Sequence, residues 1–316
     1  MSNESSVTEF LLLGFSEVRE LQLLHFVLFL VIYLAALIGN LLIITLIALE
    51  DHLHTPMYFF LMILSIIDLG SISVTIPKAM ANSLMNTRLI PYPGCVAQVF
   101  FLLLFLILEV ALLTVMSYDL YVAICDPLHY ETVMNRGVCI QMAAISWIIG
   151  LLYATLHTGS TFSVTFCSNI IDQFFCEIPH LLKLSCSDSY LIEVGALAIS
   201  GFLVIGCFIF IILSYVQIFR AVLRIPSVQG RQKAISTCLP HLIVVSMFIS
   251  TGSFAYLKPT SSSPSATDLV IAVAYAVVPQ MMNPVIYSMR NREIKAMLWK
   301  MIDQRIFSKE KLIFHQ

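Results

Sequence analysis

Seven long apolar segments, each able to cross a bilayer, leave this chain little choice of fold. A spanning helix needs about 20 mostly apolar residues. Such stretches run over Leu21–Leu49, Met57–Pro77, Cys95–Tyr121, within Gly137–Phe162, and over Val194–Phe219, Ala234–Leu257 and Leu269–Met289. The chain of 316 residues is 59% hydrophobic and 11% charged. Soluble domains carry roughly 25% charged residues, so an ordinary soluble enzyme is excluded. A net charge of −2 gives no electrostatic case for nucleic acid as a partner. No repeat or inverted pair of hydropathy blocks suggests a transporter built from internal halves. The expected fold is an all-α membrane protein: an N-terminal segment over 1–20, a seven-transmembrane-helix bundle over 21–290 and a tail over 291–316.

The positive-inside bias sets the orientation. With the N-terminus outside, Arg136, Arg220, Arg224, Arg231, Lys233 and the basic residues from Arg290 onward fall inside. The first twenty residues lack the basic and apolar regions of a cleaved signal, so the first helix is expected to act as an uncleaved signal-anchor. Asn3-Glu4-Ser5 is an N-glycosylation sequon on the expected outer side. Cys95, Cys167, Cys176 and Cys186 also fall outside, where oxidation is favoured. Four cysteines allow three pairings, and spacing does not choose among them.

Ionisable groups at bilayer depth cost about 2.5–3.5 kcal/mol each on insertion scales. Asp68 in the second segment and Glu109 in the third therefore call for a function, and Asn40 and Asn283 are polar at similar depth. Facing one interior, these four would share hydrogen bonds and hold a sodium ion or a proton between the carboxylates. A polar network that only packs helices is the alternative. The seventh segment carries Pro279 and Pro284 in PQMMNPVIY, which remove backbone donors and bend the helix. Beyond it, Ile294, Met297, Leu298 and Met301 recur at helical spacing, predicting a short amphipathic helix after the seventh span that lies on membrane lipid.

The inner end of the third segment reads MSYDLYVAIC, an aspartate with no cation beside it. Together with LHTPMYFFL, LSIIDL, YVAICDPLHY, KAISTCLPHL and PQMMNPVIYSMRN, in this order, it resembles the olfactory receptors of the rhodopsin-like, G-protein-coupled class. The resemblance covers roughly Leu11 to Lys300. It implies a plasma-membrane receptor with an odorant pocket in the outer half of the bundle. It also implies coupling to a stimulatory olfactory G protein that raises cAMP. It pairs Cys95 with Cys176 and Cys167 with Cys186, and makes Asp68 and Glu109 the carboxylates of a sodium site. The G-protein switch would comprise Asp119, Leu120, Tyr121, Tyr215, Pro284 and Tyr287.

The same analogy places Leu102, Leu103, Leu106 and Ile107 of the third helix in the pocket. Ile199, Ser200 and Leu203 would come from the fifth helix, Gly252, Ser253 and Tyr256 from the sixth, and Val273 and Ala276 from the seventh. Amine receptors carry an aspartate where this chain has Leu102, so the expected ligand is neutral and mostly hydrophobic, held by one or two hydrogen bonds.

Two departures matter. The family usually has FYGT where this chain reads Phe248-Ile249-Ser250-Thr251. The family's Asp-Arg-Tyr reads Asp119-Leu120-Tyr121 here. A guanidinium brings five donors and a permanent charge; leucine brings neither. Asp119 is then expected to be solvated, protonated part of the time, or paired with a borrowed base such as Arg136. A receptor-like protein with weak or absent coupling is the alternative function. A retinal-binding photoreceptor would need a lysine in the seventh segment, which has none. The sequence offers no catalytic constellation, and no cofactor beyond the sodium ion is expected.

Overall fold

The computed structural model describes residues 7–14, 16, 18–186, 190–257, 266–290 and 294–296. Side chains at 190–194, 196, 197, 199, 254–257, 266–269 and 288–290 lie outside that description. The elements in chain order are β1 (Glu9–Leu12), α1 (Arg19–Leu49), α2 (Pro56–Met85), β2 (Leu89–Pro91), α3 (Tyr92–Cys125), α4 (Tyr130–Val133), α5 (Arg136–Phe162), β3 (Ile170–Ile171), α6 (Ile178–Leu182), α7 (Tyr190–Arg224), α8 (Val228–Leu257) and α9 (Ala266–Arg290). Seven of these, α1, α2, α3, α5, α7, α8 and α9, are long and apolar enough to span a membrane.

Each span outruns the apolar segment read from sequence, because helices continue past the hydrocarbon into the polar interface. Local chemistry sets the ends. Pro56 opens α2, where its missing N–H costs nothing. Asn86 closes it in the left-handed region at φ 51°, a conformation asparagine tolerates. The Asn135 side chain caps α5 by accepting from the Val138 amide at 3.1 Å. Pro77 lies inside α2, Pro240 inside α8, and Pro279 and Pro284 inside α9.

Burial sorts the spans. In their most apolar windows α2 and α3 are about half buried (56% and 50%), whereas α1 and α7 are 22% buried. The chain therefore turns α2 and α3 toward neighbours and leaves α1 and α7 on the outside, where Leu24, Val31, Phe202 and Leu213 are exposed. A bundle in lipid has no hydrophobic drive to hide such side chains. Gly70 allows α2 to approach α3 closely: a Cβ there would stand 2.3 Å from the Phe105 ring. The main apolar core joins Leu64, Leu108, Leu112, Met116, Leu120, Tyr215 and Val245 across four helices.

Sequence reading gave the first twenty residues no structure, yet β1 is the central strand of a three-stranded outer sheet. It pairs antiparallel with β2, Phe10 opposite Ile90, and parallel with β3, Leu11 opposite Ile170. Phe10 and Leu12 point inward and are fully buried. The alternation is hidden in the sequence because Phe10 to Leu13 are all apolar. Beneath the sheet the Cys95–Cys176 disulfide ties α3 to the second outer loop, and Cys167–Cys186 closes a smaller loop of it. Both are the pairings that the family resemblance implies. The amphipathic helix is described only over Ile294–Ala296, which is helical; its remainder and Asn3 lie outside the described residues.

Candidate functional site

Three layers of residues stack along the bundle. The middle one is a buried polar network. Asn283 Nδ2 on α9 donates to both carboxylate oxygens of Asp68 on α2, at 3.2 and 3.1 Å. One turn outward on α9, Gln280 Nε2 donates to Glu109 Oε1 of α3 at 3.1 Å and to Ser71 Oγ at 3.2 Å. Asn40 Nδ2 on α1 donates to the Gln280 carbonyl at 3.1 Å and the Ala36 carbonyl at 3.0 Å. Thus α9 carries two amides, one helical turn apart, each presenting N–H to a carboxylate. The four residues expected together do meet, and Gln280 joins them unforeseen. A glutamine beside a proline gives no sequence signal of depth.

All five side chains are buried, yet Asn40 Oδ1, Gln280 Oε1 and Asn283 Oδ1 have no hydrogen-bond donor. Leaving a buried acceptor unmet costs about 1–3 kcal/mol. Three orphan amide oxygens beside two carboxylates form an all-oxygen donor set, the chemistry that suits a hard cation rather than a transition metal. The residues therefore fit the expected sodium ion. Among the described residues no cluster of three or more His, Cys, Asp or Glu could hold another metal.

The inner layer holds the altered motif. Asp119 is 2% exposed and accepts from the Tyr130 hydroxyl at 2.7 Å. Asp119 is neither solvated nor paired with a base: its partner is the phenol at the start of α4, in the second inner loop. Burial raises the Tyr130 pKa above its ordinary value, and the neighbouring carboxylate raises it further, so the phenol stays a donor. Leu120 is buried and packs in the main core. Tyr215 on α7 donates to His241 Nδ1 at 2.7 Å, while His241 Nε2 donates to the Leu113 carbonyl of α3 at 2.9 Å. His241 thereby ties α3, α7 and α8, a role that a lone histidine in an apolar segment does not advertise. Tyr121 stacks on Tyr118. Tyr287 and Pro284 are buried, and the Tyr287 hydroxyl has no partner.

The outer layer is apolar. Leu106 is 38% exposed although it stands one turn outward of buried Glu109 and Val110, on the side of α3 that meets α9 through Gln280. On α8, a Cβ at Gly252 would meet no atom of the described residues within 4 Å. Ile249, one turn outward of buried Val245, is 39% exposed.

Leu102, Val273 and Ala276 sit beneath Phe174 and Phe175 of the second outer loop. Leu103 packs against the main core and the outer cluster, and Ile107 is enclosed. Leu203 and Ser253 are exposed. The Ser200 hydroxyl is not free: it is hydrogen-bonded to His157 Nε2 on α5, a partner that the sequence did not suggest. The side chains of Ile199 and Tyr256 lie outside the described residues.

Seven spans, a disulfide from the third span to the second outer loop and a carboxylate network against the seventh helix define a seven-helix receptor architecture. A solved structure of squid rhodopsin shares the fold at a TM-score of 0.69 and 16% identity, covering 92% of this chain and 87% of that one. The profile of the family described as olfactory receptor matches residues 29–305. The chain is 52% identical to olfactory receptor 14A16 of Homo sapiens over 310 residues, covering 98% of this chain and 100% of that one. It is 55% identical to olfactory receptor 14I1 of Homo sapiens over 302 residues, covering 95% and 97%. The chain belongs to the olfactory receptor family of G-protein-coupled receptors, and is a multi-pass plasma-membrane protein.

Proposed function

We propose that this chain binds small, neutral, mostly hydrophobic odorants in the outer half of the bundle and activates a stimulatory olfactory G protein, raising cAMP. The observation that carries the reading is the uncharged set Leu106, Ile249 and Gly252, outward of the Asp68–Glu109 network, with Leu106 and Ile249 each partly exposed. No acidic side chain stands at Leu102 to hold an ammonium group, and Ser253 offers a hydroxyl. An apolar pocket with few polar groups selects neutral ligands by shape and one or two hydrogen bonds. The N-terminus, with its sequon at Asn3, lies outside and the tail inside. A sodium ion at Asp68 and Glu109 would neutralise the buried carboxylates and favour the resting arrangement.

Signal would pass from the odorant through α8 to the inner layer. The unpartnered Tyr287 hydroxyl is available to take a new partner when α9 moves, and the Tyr215–His241 bond is available to break when α8 moves away from α3. A second reading is favoured by one observation: Leu120 is packed in the core and supplies no donor to a G-protein tail, so coupling is weak. The test is a panel of neutral and charged odorants in cells with and without the olfactory G protein, at measured surface expression. Neutral odorants should raise cAMP only with the G protein. Responses confined to charged amines would overturn the ligand assignment. Specific binding of a neutral odorant without cAMP would favour the second reading.

A further inference from the structure

We infer that the odorant reaches its pocket from the bilayer, through an opening between α7 and α8 just outward of the Phe208–Phe248 contact; this rests on the odorant reading above. Over the described residues of α1, α2, α3, α5 and α9 the aqueous route is covered. Over α1, α2, α3 and α9 the second outer loop inserts Phe174, Phe175 and Cys176, all buried, and Gln98 pins it by accepting from the Cys176 amide at 2.8 Å. The outer sheet covers that loop, with Phe10 and Leu12 sealed beneath it. Over α5 the short helix α6 buries Leu181.

The side of the bundle is different. Helix α3 packs along α7, and α8 along α9, whereas α7 and α8 meet through fewer residues, among them Tyr215 with His241 in the inner half. Farther out than the stacked Tyr215–His241 pair, their next ring contact among the described residues is Phe208 with Phe248, centroids 6.4 Å apart. One turn outward on α8 from Phe248 comes Gly252, where an added Cβ finds nothing within 4 Å. On α7, two turns outward of Phe208, Gly201 meets nothing within 4 Å either. Ile205, one turn outward of Phe208, is 54% exposed. The Phe pair is thus a floor, no described side chain fills the space beside the two glycines above it, and Ile205 and Ile249 form an uncharged rim.

A neutral lipophilic molecule concentrates in the hydrocarbon before it meets the receptor, since each buried CH2 favours transfer by about 0.8 kcal/mol. An apolar side opening admits it without desolvating a polar mouth. A charged or strongly polar molecule gains nothing from this path, so the opening also filters ligands.

The test uses the full chain in lipid nanodiscs. The probe is the most potent of a panel of straight-chain alcohols and aldehydes of about six to ten carbons. Ile205→Trp narrows the rim at an exposed position that core packing does not use, and Ile205→Ala widens it. A passage, unlike a contact, changes forward and reverse rates together. Ile205→Trp should slow association and dissociation by the same factor, about tenfold, with Kd unchanged, and Ile205→Ala should not slow either. An unchanged association rate in Ile205→Trp, or a changed Kd at constant association rate, overturns the inference alone. If the unsubstituted chain binds no member of the panel, the odorant reading fails, and this inference with it.

Discussion

Tyr130 donates its phenolic hydroxyl to Asp119 across 2.7 Å, joining the second inner loop to the end of α3 beside Leu120. The bond gives a buried carboxylate the donor that Leu120 cannot supply. It also holds α4, a single turn between two spans, against the bundle at the surface a G protein would approach.

Tyr130→Phe should lower thermal stability, because it leaves Asp119 without its hydrogen-bond donor at a cost of about 1–3 kcal/mol. The loss should shrink in a Leu120→Arg background, where the guanidinium offers Asp119 new donors. Thermal unfolding of the two single variants and the double variant measures this coupling.

Leu120→Arg should raise odorant-evoked cAMP in cells carrying the olfactory G protein, because it restores the cation that meets the G-protein tail. Leu120 is buried in the main core, so surface expression must be matched first. An identical dose–response curve at equal expression counts against the role given to this position.

Sodium should stabilise the purified receptor relative to choline at equal ionic strength, and Asp68→Asn or Glu109→Gln should abolish the difference. Each substitution removes one negative charge from the all-oxygen set around Asn40, Gln280 and Asn283. The melting temperature in each salt is the readout, and a sodium effect surviving both substitutions would exclude the site.

Gly252→Leu should weaken bulky odorants about tenfold or more by filling open space, while small ones lose less. Ser253→Ala should weaken only odorants with a polar group, by roughly the 0.5–1.5 kcal/mol net value of one hydrogen bond. EC50 values across a series graded in size and polarity separate the two effects.

Composition and segment length determined the seven spans of this protein, because a bilayer demands about 20 apolar residues per crossing whatever the neighbours do. The ordered motifs identified the family and implied both disulfides, and the cost of burying Asp68 and Glu109 marked them as partners before any geometry. Long-range pairing decided the rest. Nothing local to Tyr130, Gln280, His241 or Ser200 says which side chain on another helix it will meet. The uniformly apolar run Phe10–Leu13 conceals the alternation that makes it a strand. Whether Leu106 and Gly252 border a space or a neighbour depends on how far α7 and α8 stand apart. In an apolar solvent that spacing is set by side-chain packing such as Phe208 on Phe248, not by hydrophobicity, which is nearly the same on every face of these helices.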